Sequence, residues 1–573
     1  MKHKLFFLLM LIYSSFFAQL DFESKVKFTK ADTLRGTLSP FRTCYDVLSY
    51  DLDVKVDIDN KSISGSNTIK LKAITNFKTL QVDLFENMKI DKIEFKDLEL
   101  KYTRLYNAVF VEFPDSIAKG VVQFLKISYS GKPQPAKNAP WDGGFTWSND
   151  KEGNPFVGVS CQGTGASLWW PCKDHQSDEP DEMLIRISVP TGLTEVSNGR
   201  FKKQTDLQNG FTKFEWYVSY PINNYDVTLN IAKYKHFSDF YFNPNYTDTL
   251  TLDYFVLPFN YEKAQTQFLQ VKSMLNCYYN YFGEYPFIRD GYKLVEAPYL
   301  GMEHQSCVAY GNKYKNGYLG YDRSRTGYKF DYIIIHESAH EWWGNSITTN
   351  DLADMWIHEG FGTYSEALYI ECLYGHEAYM EYINSEKESV SNDSPICGKY
   401  NLNNEGSGDM YPKGALLIHT IRSIINDDKL FFEILMGIQT TFKYQTVNSS
   451  DIENYISQKS GYDFSKIFKV YLHSKSIPIL NIKLYKDFMD TKAIYSYSFK
   501  NNSLTSNLYE YRGFAMPIKI TVEKNKFSFI KPIVGKELVI NLFDMKPEDF
   551  KVATDLFYID LEIEDLTNVR SEE

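Results

Sequence analysis

From Tyr50 onward, apolar side chains fall on every second position: Tyr50, Leu52, Val54, Val56 and Ile58. The polar stretch Asp59-Asn60-Lys61 interrupts them, and Ile63, Ile69 and Leu71 resume the alternation. Period two around a polar break predicts a half-buried antiparallel hairpin. Similar alternation continues to about Tyr234, which predicts an all-β region. Between about His236 and Ser476 the texture changes. YEKAQTQFLQVKSMLNCYYNYFG, YKFDYIIIHESAHEWWGN and GALLIHTIRSIINDDKLFFEILMGI carry apolar residues at three- and four-residue spacing, so this region should be mainly helical. After Pro478, strand-like runs return (ILNIKLY, MPIKITVE, KFSFIKPIV, ELVINLF, LFYIDLEI), as suits a small β-sandwich. No internal repeat or low-complexity linker breaks the chain.

The first residues have a different pattern. In MKHKLFFLLMLIYSSFFAQL, Lys2 and Lys4 precede an apolar run from Leu5 to Tyr13, the layout of a secretory signal peptide with cleavage after Ala18. Phe16, at the −3 position, is larger than the small residue usual there. The run is shorter than the roughly 20 residues of a membrane span, and no later stretch reaches that length, so no integral membrane segment is expected after cleavage. The expected location is secreted or periplasmic. The divisions that follow are a signal peptide over 1–18, a β-domain over 19–235, a catalytic domain over 236–476 and a β-sandwich domain over 477–573.

A chain of 573 residues is long enough for several domains with separate cores. With 43% hydrophobic and 24% charged residues it reads as globular. The formal net charge of −11 argues against nucleic acid and anionic membrane as partners, since both reward clustered basic charge. The 7 cysteines are an odd number, leaving at least one thiol unpaired within the monomer. Cys161 and Cys172 are near enough in sequence to pair, but spacing does not decide it and the disulfides stay open.

HESAHEWWGN, from His336 to Asn345, carries the candidate chemistry. On a helix, positions i and i+4 share a face, so His336 and His340 can offer imidazole nitrogens to one ion, with Glu337 beside them. Glu359 lies in WIHEGFGTYSEALYIECLYG, itself a plausible helix, and a helix returning antiparallel would set it opposite the histidines. Two imidazoles and one carboxylate leave the fourth tetrahedral position open, the layout of a catalytic zinc, one per chain. Glu366, two turns further along the same face, is placed to hydrogen-bond a ligating histidine. The chemistry expected is amide hydrolysis by metal-activated water, with Glu337 as general base and then as proton donor to the leaving amine. Phosphate-binding loop, dinucleotide and EF-hand motifs are absent from the sequence.

HESAHEWWGN together with Glu359 in WIHEGFGTY resembles the M1 family of zinc aminopeptidases, gluzincins whose motif is HExxH, eighteen residues, then Glu. A metzincin site would need glycine at Trp343 and histidine at Ser346. Thermolysin-type endopeptidases usually carry aspartate where this chain has Thr363. LGMEH, from Leu300 to His304, is similar to the family's GxMEN: Met302 and Glu303 match, while His304 replaces asparagine and Leu300 the first glycine. The resemblance implies that Glu303 binds the substrate's α-ammonium, that Gly301, Met302 and His304 line its pocket, and that Gln162 in CQGTGASLWWPC contacts the same amino end. DMYPKG resembles the family's YxKG segment, making Tyr411 the oxyanion donor. The fold implied is an N-terminal all-β saddle-like domain, a thermolysin-like mainly α catalytic domain and a small C-terminal β-sandwich. The function implied is zinc-dependent removal of N-terminal residues from peptides with a free N-terminus. The alternatives are a gluzincin acting on a non-peptide substrate, as in the epoxide-hydrolysing branch, and an M61-like glycyl aminopeptidase. Many M1 enzymes also carry a large helical C-terminal domain that roofs the site; this chain stops after the sandwich, so a more open cleft is expected.

Overall fold

The computed structural model describes residues 27–567 apart from 323, 489, 501–510 and 544. The expected signal peptide lies outside the described residues. The alternation noted above becomes the strand Tyr45–Asp57, paired antiparallel with Ser62–Ala73 so that Tyr50 faces Ile69 and Val56 faces Ile63. Tyr50, Leu52, Val54 and Val56 are buried, and the residues between them face outward. The hairpin sits in an eight-stranded sheet. On its other side, Tyr45–Asp57 pairs with Glu182–Pro190 in parallel, a long-range partnership that alternation cannot foretell. On the outward face, Arg186 bridges Asp51 and Asp53.

A four-stranded sheet that includes Pro155–Ser160 and Gly144–Asn149 sets this domain against the next one. Its core runs without a break into Val295, Ala297, Tyr299, Met302, Cys307 and Ala309. Tyr299 clinches the contact by donating its hydroxyl to the Val159 carbonyl at 3.0 Å. This shared core holds the chain just after Pro155–Ser160, including Gln162, close to Glu303.

The catalytic region opens with a five-stranded mixed sheet in the order Lys235–Tyr241, Leu250–Val256, Tyr292–Glu296, Val308–Tyr310, Gly301–Met302. Tyr292–Glu296, Val308–Tyr310 and Gly301–Met302 are buried throughout and show no alternation, while Leu250–Val256 does alternate but is a short run in a region where helical spacing dominates. Four helices matter for the site: α1 (Gln270–Phe282), α2 (Tyr332–Ala339), α3 (Trp356–Tyr374) and α4 (Pro412–Ile425). Asp331 caps α2 by accepting from the Ile333 and Ile334 amides. α3 is buried from Trp356 to Ile370 and stops at Gly375, while α4 starts on Pro412, where a missing amide hydrogen costs nothing. The C-terminal part consists of a four-stranded sheet and a two-stranded hairpin that share one core with the catalytic helices, so it acts as a buttress.

A disulfide joins Cys277 on α1 to Cys372 on α3, with the Cα atoms 5.9 Å apart. Cys161 and Cys172 are both free and buried, so their nearness in sequence does not lead to a bond. The disulfide closes a loop of 95 residues around α2. Opening it in the paired Cys277→Ser, Cys372→Ser variant should cost about 2–5 kcal/mol through the freed unfolded chain. Urea unfolding of oxidised wild type beside the variant measures this, and coincident midpoints would contradict it.

Candidate metal and substrate site

α2 is buried along its whole length, and its apolar residues Ile333, Ile334 and Ile335 anchor it in the core. The helix ends at Ala339 with His340 as its C-cap in helical geometry, so both imidazoles still share one face. The chain then makes a wide turn over Glu341–Asn345, in which Trp343 and Gly344 leave helical geometry. That turn brings the Trp343 carbonyl back to His340 and aims Asn345 Nδ2 at the Glu303 carbonyl, 2.7 Å away.

α3 crosses beneath the histidines. It approaches α4 through Gly360 and Gly414, where a Cβ on Gly414 would lie 2.8 Å from the Gly360 Cα. Only glycine at both positions allows the two backbones to come this close. Two residues on, about half a turn around the helix, a Cβ at Gly362 would stand 3.0 Å from His340 Cε1, so the helix can pass directly under the ring.

The result is a convergence of three atoms. His336 Nε2 and His340 Nε2 are 3.2 Å apart, and Glu359 Oε2 lies 3.5 Å from the first and 3.4 Å from the second. His336 Nδ1 donates to Glu366 Oε1 at 2.8 Å and His340 Nδ1 donates to the Trp343 carbonyl at 2.9 Å. With both δ nitrogens acting as donors, the ε nitrogens turn lone pairs toward one another and toward Glu359 Oε2, a buried oxygen with no hydrogen-bond partner. A buried carboxylate oxygen facing two imidazole lone pairs fits a cation, and this donor set is one that zinc favours.

The electrostatics agree. Burial opposes charge on His340, but Glu359 and Glu303 outweigh it and push the ring up to about 9. Burial likewise opposes ionisation of Glu359, yet His340 and His336 hold it well below the usual carboxylate range. The spot therefore favours positive charge. Glu366, whose second oxygen accepts from Tyr382 at 2.5 Å, fixes the orientation of His336.

These atoms lie in a cavity of ≈ 380 Å³. Gln162, Gly301, Met302, Glu303, Glu337 and Tyr411 line it beside the three convergent residues. Gln162 Nε2 bridges the two acids, donating to Glu303 Oε1 at 2.7 Å and to Glu359 Oε1 at 2.9 Å. Burial, and then the neighbouring Glu359 and Glu303 charges, raise Tyr411 well above an ordinary phenol, so it remains a proton donor. Its ring stacks near His336, with centroids 5.9 Å apart. Gly301 makes room for the general-base candidate, since a Cβ there would sit 2.7 Å from Glu337 Oε1.

His304 is the exception among the expected pocket residues. It is fully buried and does not line the cavity, and burial lowers its ring to about 3. His304 lies past the end of the strand Gly301–Met302, and its ring turns into the core while Glu303 faces the cavity. Asp393 and Asp409 on the far wall, and Trp141 at the mouth, were not foreseen. They come from loops brought in by the tertiary fold. Asn345 was visible as the last letter of HESAHEWWGN, but its bond to the Glu303 carbonyl depends on the wide turn.

Comparison with known proteins agrees with this geometry. The description "Peptidase family M1 domain" matches residues 259–471, and "Peptidase M1 N-terminal domain" matches residues 47–225. Similar curated proteins include the leucyl aminopeptidase of Saccharolobus solfataricus, 23% identical over 431 residues that make up 72% of this chain and 52% of that protein. The leukotriene A-4 hydrolase of Xenopus laevis is 20% identical across 76% of this chain and 72% of that protein. The chain spans about half the length of the first curated relatives it matches. An M1 zinc metallopeptidase from Deinococcus radiodurans superposes with a TM-score of 0.62 at 20% identity, covering 75% of this chain and 94% of that one. A mutant form of that enzyme bound to a Tyr-Ser-Ala substrate gives 0.64 at 20% identity, over 77% and 98% of the two chains. Family-model matches over both the β-domain and the helical region, joined to a His-His-Glu convergence at the expected positions, place this chain in peptidase family M1.

Proposed function

We propose that the protein is a zinc-dependent aminopeptidase that removes N-terminal residues from peptides. The observation that carries this reading is the adjacency of two charge-seeking spots: the convergence of His336, His340 and Glu359, and the Glu303 carboxylate tied to it through Gln162. Held by those three residues, zinc supplies Lewis-acid chemistry, activating water and polarising the scissile carbonyl. Glu337 takes the proton from the attacking water and returns it to the departing amine. The Tyr411 hydroxyl donates to the oxygen on which negative charge develops. Glu303, aided by Gln162, binds the substrate's α-ammonium and so restricts cleavage to the chain's free end. The relatives' names, and the Tyr-Ser-Ala substrate in the similar Deinococcus radiodurans structure, support peptides as the substrate class.

The reading includes a location outside the cytosol. The signal-peptide pattern of residues 1–18 and the Cys277–Cys372 bond support it, since disulfides persist where the surroundings are oxidising. Among the described residues, no helix is long and apolar enough to cross a membrane.

A panel of aminoacyl-aminocoumarins, with an N-acetylated control, tests the activity. Wild type should cleave the free-amine substrates, spare the acetylated one and lose activity to a chelator. Glu337→Ala should lower kcat by about 10²–10⁴-fold while keeping its zinc. Glu303→Ala should be impaired mainly on substrates with a free amine. Cleavage of the acetylated control at an equal rate would overturn the exopeptidase reading. In a separate measurement, Glu366→Gln should weaken zinc binding about 10–100-fold by chelator competition, because His336 loses its orienting carboxylate. An unchanged affinity would contradict that role.

A further inference from the structure

The catalytic cavity continues past its mouth. Trp141 and Leu300 line both that cavity and a second groove of ≈ 560 Å³ between the β-domain and the catalytic sheet. Trp141 is 60% exposed, an unusual position for so large an apolar side chain, and it stands at the junction of the two spaces. Along the groove floor the chain runs from Pro298 through Tyr299 and Leu300 to Gly301, the residue against Glu337.

The charges in this groove differ from those of the whole chain, whose formal net charge is −11. Lys151, Lys263 and Lys313 line it, all exposed, and none has a carboxylate partner among the described residues. The two acids there are held by neutral donors, and Lys263 lies near enough to Glu296 to favour its charged form. Glu296 accepts from the Leu257 amide, Asn260 Nδ2 and the Tyr314 hydroxyl, each at 2.7 Å. Asp150 accepts from the Glu152 and Asn154 amides within its own turn. Lys151 lies 3.7 Å from the centroid of the Phe259 ring, which leaves its charge uncancelled. Three lysines against the two carboxylates of Asp150 and Glu296 leave the groove one formal positive charge in excess.

We propose that this groove binds the downstream part of the peptide substrate and selects acidic side chains there. The inference rests on the aminopeptidase reading, because the peptide's amino end must lie at Glu303 for its remainder to leave past Trp141. An extended chain advances about 3.3 Å per residue. Leu300 adjoins Gly301 and lines both spaces, so a chain leaving the bond beside Glu337 enters the groove within about two residues, and its later side chains are the ones that share the groove with the lysines. Trp141 offers a flat face at the crossing, and the lysines attract carboxylates over a range that salt can screen.

The test compares amidated pentapeptides that differ only in carrying aspartate or lysine at positions three to five, hydrolysed by the zinc-loaded enzyme. At low ionic strength, KM for the acidic series should be about 3–10-fold lower, and the gap should shrink in 0.5 M salt. In the triple variant Lys151→Glu, Lys263→Glu, Lys313→Glu, the ratio of the two KM values should fall to one or reverse. An aminoacyl-aminocoumarin too short to reach the groove serves as the reference within each protein. Fluorescence anisotropy of the acidic peptide, labelled at its C-terminus, on zinc-loaded Glu337→Gln protein gives a second reading that needs no turnover. Equal KM values for the two series in wild type, or a preference that survives the triple variant, would overturn the proposal. Failure to cleave any free-amine substrate would instead sink the aminopeptidase reading, and the anisotropy comparison would still decide the groove.

Discussion

The constraint on which the rest of this structure depends is the cost of burying like charges together. Glu303, Glu337 and Glu359 are all buried in one small region, and only two imidazoles stand among them. Removing an ion from water costs several kcal/mol unless paired charge and hydrogen bonds offset it. The pairing in this region is deliberately incomplete: one Glu359 oxygen has no hydrogen-bond partner, and Gln162 shares a single amide between two acids. A divalent cation and a substrate ammonium are the two charges that would complete it. Binding and catalysis therefore draw on an electrostatic demand that folding has already set up.

Meeting that demand takes rigid neighbours, and much of the fold provides them. The Gly360–Gly414 crossing fixes the depth of the Glu359 helix, and the disulfide ties the far end of that helix to α1. The β-domain contributes Gln162 through a core continuous with the strand Gly301–Met302, which leads directly into Glu303. The C-terminal sheet shares a core with the catalytic helices and supports them from behind. Removing any of these would loosen the convergence before it touched a reacting atom.

The sequence revealed those features that depend on short-range periodicity. Histidines four apart, a carboxylate on the next long helix and alternating residues from Tyr50 are local patterns, and the structure bears out their helix and hairpin geometry. The three-part architecture was likewise legible. The opening sheet of the catalytic region was not: its inner strands Tyr292–Glu296 and Val308–Tyr310 are buried throughout and lose their alternation, and the alternating run Leu250–Val256 is short within a region dominated by helical spacing. The orientation of His304 was also missed: the motif shows a residue type at a position, whereas the side on which it points depends on the tertiary packing around it. The lysine groove arises from Lys151, Lys263 and Lys313, which are far apart in sequence and meet only through domain packing.

The most direct measurement is anomalous diffraction at the zinc absorption edge from crystals of the purified protein. The account predicts one strong peak within about 2.0–2.2 Å of His336 Nε2, His340 Nε2 and a Glu359 oxygen. A well-ordered, zinc-supplemented crystal with no peak among those three residues, or with its strongest peak elsewhere in the chain, would contradict it.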